Sequence, residues 1–109
     1  MRWLASCCLL FAACGGPEPE TLLPAHEEVR KYFQSGKEPL AKDAIWTSPT
    51  IFKVAVFENG SNRNGYANYV CEVLAEQGFK GKRVWVQILD MGAVLRKEKW
   101  KKLGEAHCP

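Results

Sequence analysis

Nowhere in the 109 residues does an apolar run reach the roughly 18 to 20 residues that a spanning helix needs, so no transmembrane helix is expected. Charge of one sign is also scarce. The 15 Lys and Arg against 12 Asp and Glu leave a formal +3, too little for a dedicated nucleic-acid binder, and nucleic acid is not an expected partner. Cys71, Cys108, His26 and His107 show no close ligand-pair spacing such as CxxC, so no metal and no other cofactor is expected. No internal repeat or low-complexity tract occurs. What is present is a globular composition, 47% apolar and 25% charged with four Trp, five Phe and three Tyr, which excludes disorder of the whole chain. The length allows one core and no separate catalytic and regulatory halves.

Met1 to Ala13 places one basic residue, Arg2, ahead of an apolar stretch, Trp3 to Phe11, and two small residues, Ala12 and Ala13. That is the layout of a secretion signal. The string Phe11-Ala12-Ala13-Cys14, followed by Gly15, Gly16 and Pro17, resembles a bacterial lipobox. The resemblance implies that the Cys14 thiol carries acyl chains such as palmitate and that the signal is removed in front of it. Gly15 rather than Asp after the cysteine resembles the outer-membrane sorting pattern, facing the periplasm where a cell has two membranes. A second box, Leu4-Ala5-Ser6-Cys7, leaves no apolar region upstream of it, so Cys14 is preferred. An ordinary cleaved signal and a buried N-terminal helix are the alternatives. Residues 1–13 are thus read as signal, 14–23 as lipidated cysteine and flexible tether, rich in Gly and Pro, and 24–109 as one domain.

Cysteine usage follows from this division. Cys7 and Cys8 leave with the signal and Cys14 is taken by lipid, so Cys71 and Cys108 remain in a compartment where disulfides persist. A bridge closing their loop is worth roughly 4 kcal/mol in the loop-entropy picture. The alternative is two free thiols, one buried on a helix and one near the terminus. His107 beside Cys108 is not read as a Cys/His hydrolase, because an attacking thiol needs a facing base or a lowered pKa.

The fold expected is α/β or α+β. From Pro24, the residues Ala25, Val29, Tyr32 and Phe33 recur at helical spacing up to Gly36, and Pro39 to Trp46 repeats the pattern weakly, giving two N-terminal amphipathic helices. Ile51 to Phe57 is β-branched and aromatic and reads as a central strand. After a turn cluster over Glu58 to Asn64, Ala67, Val70, Cys71 and Leu74 make a helical stripe that Gly78 ends in the left-handed region. Lys82 to Met91 alternates again, and this strand-helix-strand unit predicts parallel strands with a right-handed crossover. A third short strand over Trp100 to Ala106, interrupted by Gly104, completes the sheet.

The segment Val54-Ala55-Val56-Phe57-Glu58-Asn59-Gly60-Ser61, with Gly65-Tyr66-Ala67, Val70, Leu74 and Gly78-Phe79, resembles the C-terminal domain of LytR-type bacterial cell-wall proteins. It covers Phe52 to about Ile88. The resemblance implies an envelope setting and carries over no catalytic residue. Gly60 to Gly65 has the glycine spacing of a phosphate loop, but Tyr66 and Ala67 stand where the Lys and Ser/Thr should be, which excludes nucleotide chemistry. Ser61, Asn62 and Arg63 at the helix start suit a carboxylate or phosphate group, or plain capping. Glu58 and Asp90 end the two expected parallel strands at one edge. They are read as strand-end polarity or, alternatively, as an acid/base pair of a cell-wall-active or ligand-processing enzyme.

Charge is segregated along the chain. Cys14 to Phe79 holds six Lys and Arg against nine Asp and Glu, whereas Lys80 to Pro109 holds eight against three. Arg96, Lys97, Lys99, Trp100, Lys101 and Lys102 set an aromatic ring among five cations. They suit anionic lipid headgroups or acidic envelope polymers, or else a solvated edge strand guarded by lysines. The function expected is that of a small lipid-anchored bacterial envelope protein, a non-catalytic binding or structural module. Its partners are the membrane through the N-terminal lipid and an envelope polymer or protein.

Overall fold

Burial alternates along the two edge strands, whereas the two central strands alternate at first and end in three consecutive buried residues. The computed structural model describes residues 21–109; the signal of 1–13, Cys14 and the tether as far as residue 20 lie outside the described residues. The elements are α1 (Pro24–Gln34), β1 (Asp43–Ser48), β2 (Ile51–Val56), α2 (Asn64–Leu74), β3 (Trp85–Asp90), α3 (Met91–Leu95) and β4 (Lys102–His107). The sheet runs β1-β2-β3-β4, with β2 and β3 parallel and both outer pairs antiparallel. The result is a small α+β domain with α2 as the crossover between the parallel strands, as the periodicity leads one to expect.

One face of the sheet carries the core. Trp46, Phe52, Val54, Val56, Val86, Ile88 and Ala106 point to it and meet Val29 and Phe33 of α1 and Ala67, Val70, Cys71 and Leu74 of α2. Trp46 donates its indole N–H to the His26 carbonyl at 2.9 Å, and its ring stacks on Phe79. The His26 ring is itself built in. Its Nδ1 accepts from the Leu23 N–H at 2.9 Å, so Nε2 carries the proton and donates to the Pro49 carbonyl at 3.0 Å. This fixes the start of α1 against the β1–β2 turn. At the far end of α2 the chain continues into one π-type turn, Ala75–Phe79, within which Gly78 reverses it at φ +96°.

Three expectations need correction. Pro39 to Trp46 does not form a second amphipathic helix. It leads into β1, where Ala44 and Trp46 are buried and Ile45 and Thr47 exposed, a period of two. Pairing with β2 across Ser48-Pro49-Thr50 supplies the backbone hydrogen bonds of which an eight-residue helix would have made few. The stretch to residue 23 is not all tether, because Leu22 packs against the core and Leu23 is tied to His26. Gly104 is no interruption of the last strand. A Cβ there would lie 2.3 Å from the Arg63 carbonyl carbon, so only glycine lets β4 meet the start of α2 backbone to backbone.

Candidate functional site

The second face of the sheet has little cover. Ile45, Lys53, Trp85, Gln87, Glu105 and His107 project from it in register across the four strands. Among the described residues only α3 and Trp100 lie over it, closing Ala55 and Leu89 into a shallow cavity of about 90 Å³ that Asp43, Ile45, Lys53 and Val94 also line. Ile45 and Trp100 are each 44% exposed, whereas Trp46 and Phe52 on the other side are 5% and 0% exposed. Two ammonium groups lie over two indoles, Lys53 over Trp100 at 5.3 Å and Lys102 over Trp85 at 5.6 Å. Trp85 also stacks on His107 and donates its indole N–H to Glu105 at 2.9 Å. The Lys102 ammonium, 2.9 Å from Glu105, and then that indole hold the Glu105 carboxyl below its ordinary value.

The basic segment is only partly neutralised. Arg96 pairs with Glu98 at 3.0 Å, Lys101 with Glu58 at 3.0 Å and Lys102 with Glu105. Lys53, Lys97 and Lys99 have no carboxylate partner among the described residues. The surface therefore joins exposed rings to unbalanced positive charge.

The other sequence candidates are dispersed. Glu58 is held by Lys101, and Asp90 is the N-cap of α3, its Oδ1 accepting from the Gly92 N–H at 3.0 Å with the Arg96 guanidinium 4.0 Å from its other oxygen. Each carboxylate thus has a partner of its own. Ser61 and Asn62 stay at the surface. Asn59 Oδ1 accepts from the Ser61 N–H, and Asn62 Oδ1 accepts from the Asn64 N–H at 2.7 Å. Arg63 turns inward instead, 9% exposed, and donates to the Phe57 carbonyl at 3.1 Å, while its backbone N–H donates to Leu103. The three residues do not converge on one solvent-facing pocket; Arg63 braces the joint between α2 and β4. Cys71 and Cys108 lie at disulfide distance, S–S 2.07 Å and Cα–Cα 5.3 Å, fastening α2 to the end of β4. No group of three His, Cys, Asp or Glu side chains converges as a metal site, and no helix is long and apolar enough to cross a membrane, among the described residues.

Sequence reasoning missed a second cluster, on the helix side. The Tyr32 and Tyr69 hydroxyls both donate to Glu38 Oε2, at 2.7 and 2.9 Å, and Glu38 is buried. These hydrogen bonds raise both phenols above their ordinary pKa. Tyr66 stacks on Tyr69, and burial pushes its phenol up to about 12 with the hydroxyl left unpartnered. Only the separate aromatic residues were visible in the sequence; nothing in their spacing joins 32, 38 and 69. No protein-family model, curated protein or solved structure matches this chain.

Proposed function

We propose that this chain is a small lipid-anchored protein of the bacterial cell envelope, set in the outer membrane and facing the periplasm where the cell has two membranes. Its α+β domain is a non-catalytic binding or structural module that presents a surface to another envelope component. The observation that carries this reading is the Cys71–Cys108 pair at disulfide distance, because such a bond persists in oxidising compartments and agrees with the secretion-type layout of residues 1–13. The lipobox-like residues before Cys14 add the anchor, and the LytR-like stretch adds the envelope setting. The exposed rings and unbalanced lysines supply the surface. An enzyme built on Glu58 and Asp90 gains no support from two carboxylates held by separate partners.

Mass spectrometry of the mature N-terminus tests the proposal. An acylated Cys14 is expected, and Cys14→Ser is expected to move the protein from the membrane to the soluble fraction, since several acyl chains anchor stably and none does not. An unmodified residue other than Cys14 at the N-terminus removes the lipoprotein reading.

A further inference from the structure

The two ends of the sheet differ in what they present. At one end the chain enters α1, and Leu23, His26, the β1–β2 turn at Pro49 and Thr50, and Lys82 line one hollow. Lys80, Lys82 and Arg83, all exposed, belong to this entry end. The opposite end holds the close of β2, the Glu58–Lys101 pair and the Arg96-to-Trp100 segment, which folds back over the open face to place Trp100 beside Lys53. Five steps of about 3.3 Å along the six residues of β2 set these ends roughly 17 Å apart, with Lys53 at its third residue.

We propose that the open face, centred on Trp100 and Lys53 and extended by Lys97 and Lys99, binds an acidic glycan strand, a sugar polymer bearing carboxylate or phosphate groups. The first ground is complementarity. The Lys53 ammonium lies over one face of the Trp100 indole, 5.3 Å from its centroid; the half-exposed ring keeps apolar surface for the C–H face of a sugar, and the ammonium adds a positive charge for an anion carried on that sugar. Lys97 and Lys99, without carboxylate partners among the described residues, extend the positive field along the strand ends, so a repeating anion is matched at more than one point. The second is direction, which rests on the anchored-module reading. A lipid at Cys14 draws the entry end toward the bilayer, where Lys80, Lys82 and Arg83 meet anionic headgroups. The Arg96-to-Lys99 segment then lies away from that membrane, and the Trp100–Lys53 site, midway along β2, faces sideways within reach of a polymer.

The test uses the full chain in affinity gels containing polygalacturonate, neutral dextran or polyglutamate. Flotation with phosphatidylcholine vesicles, with and without phosphatidylglycerol, runs alongside. Polygalacturonate is expected to retard the protein, dextran is not, and polyglutamate is expected to do so at least about fivefold more weakly. Trp100→Ala and Lys53→Gln are each expected to weaken the polygalacturonate affinity about tenfold. Arg83→Gln, at the entry end, is expected to leave it unchanged. Trp100→Phe keeps a ring and is expected to retain most of the binding, which separates loss of the surface from loss of the fold. Equal retardation by polyglutamate, no retardation by polygalacturonate, or retardation indifferent to Trp100→Ala overturns the proposal. So does a phosphatidylglycerol-dependent gain in flotation that Trp100→Ala abolishes, because the face then serves lipid. Glycan binding by a chain whose Cys14 is unmodified supports the surface while removing the anchor; an acylated Cys14 without glycan binding keeps the anchor and removes the surface.

Discussion

On the helix-covered face of the sheet, Trp46 and Phe52 lie with ring centroids 4.5 Å apart, and Phe33 and Phe79 close around them out of reach of water. On the open face, Trp85 and Trp100 meet ammonium groups instead of other apolar rings. The same strands supply both sets, since successive residues alternate sides. The difference lies in what the chain lays over each side: two eleven-residue helices cover one, and a five-residue helix with one loop covers part of the other. Burying aromatic area is what holds the domain together on the first side. On the second, rings kept half in water contribute little to stability and remain available for contact.

The sharpest way to break this comparison is to truncate one residue on each face. Phe52→Ala is expected to cost about 3–5 kcal/mol in urea denaturation, whereas Ile45→Thr is expected to stay within about 0.5 kcal/mol. Comparable losses would mean that the second face is buried in solution. Next in size is the link that fastens α2 to β4. Cys71→Ser and Cys108→Ser are each expected to lower stability by about 2–4 kcal/mol, with the double replacement adding little, because both remove the same bond. Additive losses in melting temperature would instead mark two independent thiols. The smallest effect concerns Tyr66. An unfolded tyrosine ionises near pH 10 and the folded one near 12, so the stability this group contributes is full below about pH 10 and is lost as the pH rises toward 12. Tyr66→Phe is expected to remove that alkaline step. At neutral pH it should leave stability unchanged or raise it by up to about 1 kcal/mol, since the buried hydroxyl has no partner. An unaltered alkaline limb in the variant would assign the step to Tyr32 and Tyr69.

The strand-helix-strand unit was legible in the sequence because its periods are unmixed: Ile51–Val56 holds a single polar residue, Lys53, Trp85–Asp90 sets Val86 and Ile88 against Trp85 and Gln87, and α2 repeats its stripe over three turns. Gly78 marked the helix end for a stated conformational reason. β1 was not legible, since Ala44, Ile45 and Trp46 fit a helical stripe as well as a half-buried strand and only pairing with β2 decides between them. Nor was α3, at five residues too short to leave a period. Its cap, Asp90, was read for its charge alone. Of the basic segment, the sequence disclosed the cations and the ring. It did not disclose that Lys53 stands under Trp100 while Lys101 and Lys102 are neutralised, because those partners come together only when the sheet forms.

Gly104 bears on how this sequence is able to change over time. At Gly36, Gly60 and Gly81 an added methyl group would meet open space, and drift there is opposed by backbone conformation alone. At Gly104 every other residue adds a carbon where the backbone of Arg63 and Asn64 already stands. No graded series of smaller substitutions leads away from it, and a compensating change has no side chain to trim on the far side of the contact. Descendants of this chain are therefore free to vary the rings and lysines of the open face one at a time, while the joint between the last strand and the crossover helix passes on unaltered.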